Sequence, residues 1–119
     1  SMDATVYYTT LDQYACNDGI IVGAKLGEEV VSPANGRVVN IEDTDRYGKV
    51  VTILLGNYYK AYCGQLDNVN YEIGDDIQEG DVLGTVAEPT KSFVLEGPNV
   101  FFKMTYKDKT VNPVKYLRV

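Results

Sequence analysis

Histidine is absent from all 119 residues, and so is tryptophan. Without imidazole the two cysteines, Cys16 and Cys63, have no base, which excludes a cysteine–histidine nucleophile. They also supply too few ligands on their own to hold zinc. No apolar run approaches the ~20 residues that cross a bilayer, and no stretch of the given sequence reads as a signal peptide. Basic residues are scarce: eleven Lys and Arg stand against seventeen Asp and Glu, for a net charge of −6. Nucleic acid, which needs a basic face against its phosphates, is thereby excluded as a partner. Helical periodicity is nearly missing too, which turns attention to strands.

What is present suffices for one folded domain. The length allows a single buried core without staples, and 45% hydrophobic against 24% charged residues argues against disorder. Ser1-Met2 reads as an expression scar, leaving 3–119 as the domain. Between Gln65 and Thr90 every charged side chain is acidic, whereas the stretch after Lys91 is mostly basic. That segregation makes either a solvated acidic face or a surface that steers a charged partner.

Short β-rich runs alternate with Gly, Asn and Asp punctuation, so the expectation is an all-β sandwich or barrel. Pro33-Ala34-Asn35-Gly36 reads as a turn into a strand with Val39 and Ile41 on one face and Asn40 and Glu42 on the other. Val50 to Leu55 is apolar on both faces, as a central strand is. Gly56-Asn57 suits a two-residue hairpin turn, and Asn112-Pro113 opens a short final turn. Asp43-Thr44-Asp45 lacks the glycine of an aspartic-protease D-T-G. Asp75-Asp76 is a carboxylate pair whose members alternate across a strand, so both read as turn or surface acids.

Three stretches cover almost the whole chain. NDGIIVGAKLGEEVVSPANGRVV has the cadence H-x-G-x-D-(x)n-G-x-x-V-x-A-P-x-x-G-x-V-V, and YEIGDDIQEGDVLGTV that of V-x-x-G-D-x-V-x-x-G-x-x-I-G-x-V. GPNVFFKM, followed by VNPVKYL, has that of G-P-H-L-H-F-E-x with a closing V-D-P-x-x-Y-L. In this order and spacing they resemble the lysostaphin/LytM-type zinc metallopeptidase domain. The resemblance implies a LytM-like β-sandwich/barrel-sandwich hybrid, a single compact domain with little helix. Within that type, TLDQYACNDGI is similar to the opening segment of the stage II sporulation protein Q subgroup.

Carried over residue by residue, the zinc-ligand positions fall on Asn17, Ile21 and Phe101. An amide is a poor zinc ligand, and neither isoleucine nor phenylalanine has a lone pair to give. The remaining histidine positions fall on Asn99 and on Gly64 or Gln65, where YCGQL runs one residue longer than the family pattern. The expectation is therefore a pseudoenzyme, with no cofactor and no metal, whose ligand-free positions either fill with core or form a remodelled groove. The family-aligned positions of Cys16 and Cys63 make a disulfide conceivable, although free thiols are the favoured expectation.

Three functions compete. The resemblance to the sporulation subgroup implies an extracytoplasmic protein-interaction scaffold of sporulation and engulfment. It would be anchored in the forespore membrane by an N-terminal transmembrane helix. Its partner would be the ectodomain of a second membrane protein resembling stage III sporulation protein AH. The alternative is a non-catalytic regulator of a cell-wall enzyme, as amidase activators of this domain type are, or a peptidoglycan-binding module. A remote third is a biotinyl or lipoyl carrier, since IQEGDVLGTVAEPTK is similar to the hairpin of those domains; its acceptor would be Lys91, about one residue late.

Overall fold

The computed structural model describes residues 5–6, 13–15 and 18–116. Ser1, Met2, Cys16 and Asn17 lie outside the described residues, and with them the scar, one end of the conceivable disulfide and one expected ligand position. The strands, in chain order, are β1 Thr5–Val6, β2 Gln13–Ala15, β3 Ile20–Gly23, β4 Glu29–Val31, β5 Gly36–Thr44 and β6 Gly48–Gly56. They continue as β7 Tyr59–Asp67, β8 Asp76–Ile77, β9 Val82–Val86, β10 Asn99–Tyr106 and β11 Lys109–Val111. Two single 3₁₀ turns, Lys91–Phe93 and Pro113–Tyr116, complete the described elements. The all-β expectation holds.

One long path runs β1-β4-β9-β7-β10-β3-β2, with β11 added to β10 and the β5–β6 hairpin added to β7. The pivot is β7. Its Tyr59–Gly64 segment pairs with β10, whereas Leu66 and Asp67 pair with β9 instead. The change of neighbour coincides with a break in register against β6: Val51 faces Cys63, but Lys49 faces Leu66. Gly64 and Gln65 thus share the space opposite one residue, which is a β-bulge that bends the strand and redirects its edge. The extra residue noticed in YCGQL is this bulge.

Alternation sorts the side chains. Val22, Val38, Val51, Ile53, Ala61, Cys63, Val100 and Phe102 point into one core with Leu83 and Val86, all essentially inaccessible. Two local expectations need correction. The β6–β7 turn is Asn57-Tyr58, both at positive φ (52° and 69°), rather than Gly56-Asn57; a tight hairpin needs that conformation at both central residues, and the ladder runs on to Gly56. In β5 the strict two-residue period fails, because register shifts between Val38 and Asn40. Val39 occupies a bulge half-buried, so Val38 is the residue sunk in the core beside Ile41. The closing turn is as expected, with the Asn112 side-chain oxygen accepting from the Val114 N–H at 3.1 Å.

Candidate functional site

Three antiparallel strands bring the resemblance-derived positions together. In register, Phe101 of β10 faces Ile21 of β3 on one side and Gly64 of β7 on the other. Ile21, Phe101 and Gly64 therefore form one row across the outer face of the sheet, opposite to the core-facing Phe102. An outer row is ordinarily wet. This one is not: Ile21 is 0% and Phe101 1% exposed.

The cover comes from two residues that sequence reasoning passed over. Tyr47, at the tip of the β5–β6 hairpin, lays its ring on Phe101 with centroids 3.8 Å apart and planes 12° from parallel. Phe93, in the first 3₁₀ turn, adds a second ring 5.8 Å from that of Tyr47. Ile21, Phe93 and Phe101 close into a small apolar cluster of their own, with Tyr47 as its rim. The only available signal was modest: Tyr47 is the sole aromatic between Tyr14 and Tyr58, and it sits in a turn.

Backbone chemistry explains why the ring lies there. Thr44 Oγ1 accepts from the Tyr47 N–H at 2.9 Å and donates to the Gly48 carbonyl at 3.0 Å, fixing the tip. At the bulge Gln65, held at φ 63°, donates its N–H to the Tyr47 carbonyl at 2.6 Å. Gly64 packs tightly beside it. A Cβ there would stand 3.0 Å from the Tyr47 carbonyl oxygen and 3.3 Å from the Phe101 ring, so the hairpin tip or the ring would have to give by a few tenths of an ångström. The Tyr47 hydroxyl donates to Asp18 Oδ2 and accepts from Arg46 Nε at 3.0 Å. Burial pushes the Tyr47 phenol above its ordinary pKa, the Asp18 carboxylate pushes the same way, and Arg46 opposes both.

Gln65 is an internal bracket. It is 1% exposed; its amide oxygen accepts from the Thr90 N–H at 3.2 Å and its amide nitrogen donates to Thr90 Oγ1 at 3.3 Å. Thr90 in turn donates to the Arg46 carbonyl at 2.6 Å, tying the loop that carries Phe93 to the hairpin that carries Tyr47. Asn99 is equally buried. It donates to the Gly97 carbonyl at 2.8 Å, and its Oδ1 has no partner among the described residues. Cys63 is buried in the core, on the face opposite this row.

These residues do not fit zinc. Ile21 and Phe101 offer no donor atom, Gly64 offers no side chain, and rings occupy the space above them. Among the described residues no group of three His, Cys, Asp or Glu is placed to hold a metal. The acidic pairs serve local structure. Asp43 pairs with Lys49 at 3.0 Å, Asp75 accepts from the Glu72 N–H at 2.8 Å, and Asp76 pairs with Arg37 at 3.2 Å. Lys91 opens the 3₁₀ turn that buries Phe93, and no hairpin tip presents it.

The fold has many solved counterparts. The catalytic domain of lysostaphin from Staphylococcus simulans superimposes with a TM-score of 0.74 over 89% of this chain and 86% of that one, at 15% identity. A putative peptidase M23 from Pseudomonas aeruginosa reaches 0.76 over 86% of this chain and 44% of that one, at 23% identity. Among curated proteins, murein hydrolase activator NlpD of Salmonella typhimurium is 28% identical over 102 residues, 85% of this chain and 26% of that protein. Murein hydrolase activator EnvC of Escherichia coli is 26% identical over 99 residues, 83% of this chain and 23% of that protein. The chain thus spans about a quarter of the length of these activators. The profile of Peptidase family M23 matches residues 15–113, the stretch that builds the row, its aromatic cover and the bulge. The chain belongs to Peptidase family M23.

Proposed function

We propose that this domain is a non-catalytic member of its family that regulates a murein hydrolase by binding it. The observation that carries the reading is the row Ile21–Phe101–Gly64 roofed by Tyr47 and Phe93. A peptidase of this family type would need donor atoms and an open position for water there. Here the same place is apolar, ring-filled and braced by part-buried hydrogen bonds. A scaffold kept after its chemistry is gone still has a surface to offer. The curated relatives named above, described as murein hydrolase activators, weigh toward a regulator and lend nothing to the sporulation scaffold. Asn17 belongs to the same reading, as a ligand position that has lost its imidazole.

The trial uses the purified domain, dye-labelled murein sacculi and the cell-wall amidases of the same genome. The domain alone, with or without added zinc, releases no dye; added to its hydrolase it raises release several-fold. Release by the domain alone overturns the non-catalytic half of the proposal. No change in the rate of any of the hydrolases overturns the regulatory half.

A further inference from the structure

Strand β5 carries an open backbone edge. One side is laddered to β6 from Arg37 to Thr44. On the other side β8 covers only Gly36 and Arg37, and Val38 exchanges hydrogen bonds with the Asp75 carbonyl (2.8 Å) and the Gly74 N–H (2.7 Å). From Asn40 to Thr44 no backbone hydrogen bond reaches that outer side among the described residues. Unpaired strand edges are templates for another strand, and such an edge has to be guarded or used.

Charge says which strand it fits. Glu42, Asp43 and Asp45 lie at one end of this edge and Glu72, Asp75 and Asp76 at the other. Lys49 pairs with Asp43 and Arg37 with Asp76, while Glu42, Asp45, Glu72 and Asp75 have no basic partner among the described residues. The field is felt locally: Tyr71 is pushed above the ordinary tyrosine pKa, first by burial and then by Asp81 and Asp75. A second copy of this chain is a poor occupant, since pairing edge to edge sets like charges opposite each other. A basic strand meets the opposite sign. Packing adds to this, because Ile41 is only partly covered while it packs on the core. On the other face Asn40, Glu42 and Thr44 form the lip of a groove of about 170 Å³ that runs inward past Thr52 and Tyr62 to Lys103 and is also lined by Tyr47 and Phe101 of the roofed row.

We infer that the outer edge of β5, Asn40–Thr44, is a docking site for an extended basic segment of a partner protein, which joins the sheet as a further strand. Lysine or arginine faces Glu42 on the groove side, and an apolar residue covers Ile41. The edge lies four strands from Ile21 along β3-β10-β7-β6-β5. The inference holds whether or not the partner is a hydrolase.

The probe is the peptide Lys-Val-Lys-Val-Lys-Val-Lys, compared with its Glu-Val counterpart and with the same Lys-Val peptide N-methylated at alternate residues. ¹⁵N-labelled full chain is titrated with each, and amide hydrogen exchange is followed. The expected result is that the unmodified basic peptide shifts the amides of 40–44 and slows their exchange. N-methylation, which keeps the charge and removes the ladder, weakens binding at least ~10-fold, and Glu42→Gln weakens it roughly 2- to 5-fold. The Glu-Val peptide leaves the spectrum unchanged. Equal binding by the N-methylated peptide, shifts that map away from β5, or no shift at millimolar peptide overturns the inference.

Discussion

Replacing Phe101 with alanine tests whether the outer row is core or cleft. Phe101 is 1% exposed, its ring is stacked 3.8 Å from Tyr47, and it packs with Ile21 and Phe93. Truncating a buried phenylalanine costs about 3–5 kcal/mol, from lost transfer energy and from the cavity left behind. The cavity here cannot collapse easily. Ile21 and Gly64 sit on laddered strands, and the Tyr47 backbone is held by Gln65 and Thr44. For a domain of this size, 1 kcal/mol at the midpoint corresponds to roughly 3–6 °C, so Phe101→Ala lowers Tm by about 10–25 °C. Phe101→Leu keeps most of the volume and loses the stack, which costs about 1–2 kcal/mol. Thermal melts followed by far-UV circular dichroism, with urea midpoints at constant m as a check, read both variants. A Phe101→Ala loss below about 1 kcal/mol, the size expected for a side chain lining an open groove, refutes the filled-site argument.

Tyr47→Phe keeps the stack but strips Asp18 and Arg46 of the hydroxyl they share, and it lowers stability by about 0.5–1.5 kcal/mol in urea melts at pH 7. The pH dependence has a fixed sign: the folded-state Tyr47 pKa lies above the ordinary 10.0, so its contribution is complete below pH 10 and is lost as pH rises through the folded value. Tyr71 shifts in the same direction, so the difference between wild type and Tyr47→Phe isolates Tyr47; that gap narrows above pH 10, and a gap that widens contradicts the assignment. Gln65→Leu leaves the part-buried Thr90 N–H unpaired and loosens the loop carrying Phe93, at a cost of about 1–2 kcal/mol, with faster amide exchange from Thr90 to Gly97 as the local readout.

Much of the site was legible in the chain, because ligands are either present or absent. Ile21 and Phe101 cannot bind zinc in any fold, and the absence of histidine holds whatever the tertiary structure. Register was legible only in part. The extra residue in YCGQL was visible, but its conversion into a bulge at Gly64–Gln65 depended on β7 having to leave β10 and join β9. Asn99, and Gly64 or Gln65, read as the remaining histidine positions of the family pattern. In the fold Gln65 and Asn99 are buried: Gln65 brackets Thr90 through both ends of its amide, and Asn99 donates to the Gly97 carbonyl while its Oδ1 has no partner among the described residues.

By itself the sequence determined the all-β class, the turns at Pro33–Gly36 and Asn112-Pro113, and the lack of a donor atom on the side chains of Ile21 and Phe101. Each of these follows from local pattern or from which atoms a side chain carries. Tertiary structure alone decided that Tyr47 and Phe93, 46 residues apart in the chain, roof Ile21 and Phe101. No period relates the tip of a hairpin to a loop four strands further along the chain. It alone also decided that Asn40–Thr44 of β5 have no ladder partner on their outer side among the described residues, because β8 turns away after two paired residues. An unpaired N–H has the same sequence as a paired one, and only the position of the neighbouring strand distinguishes them.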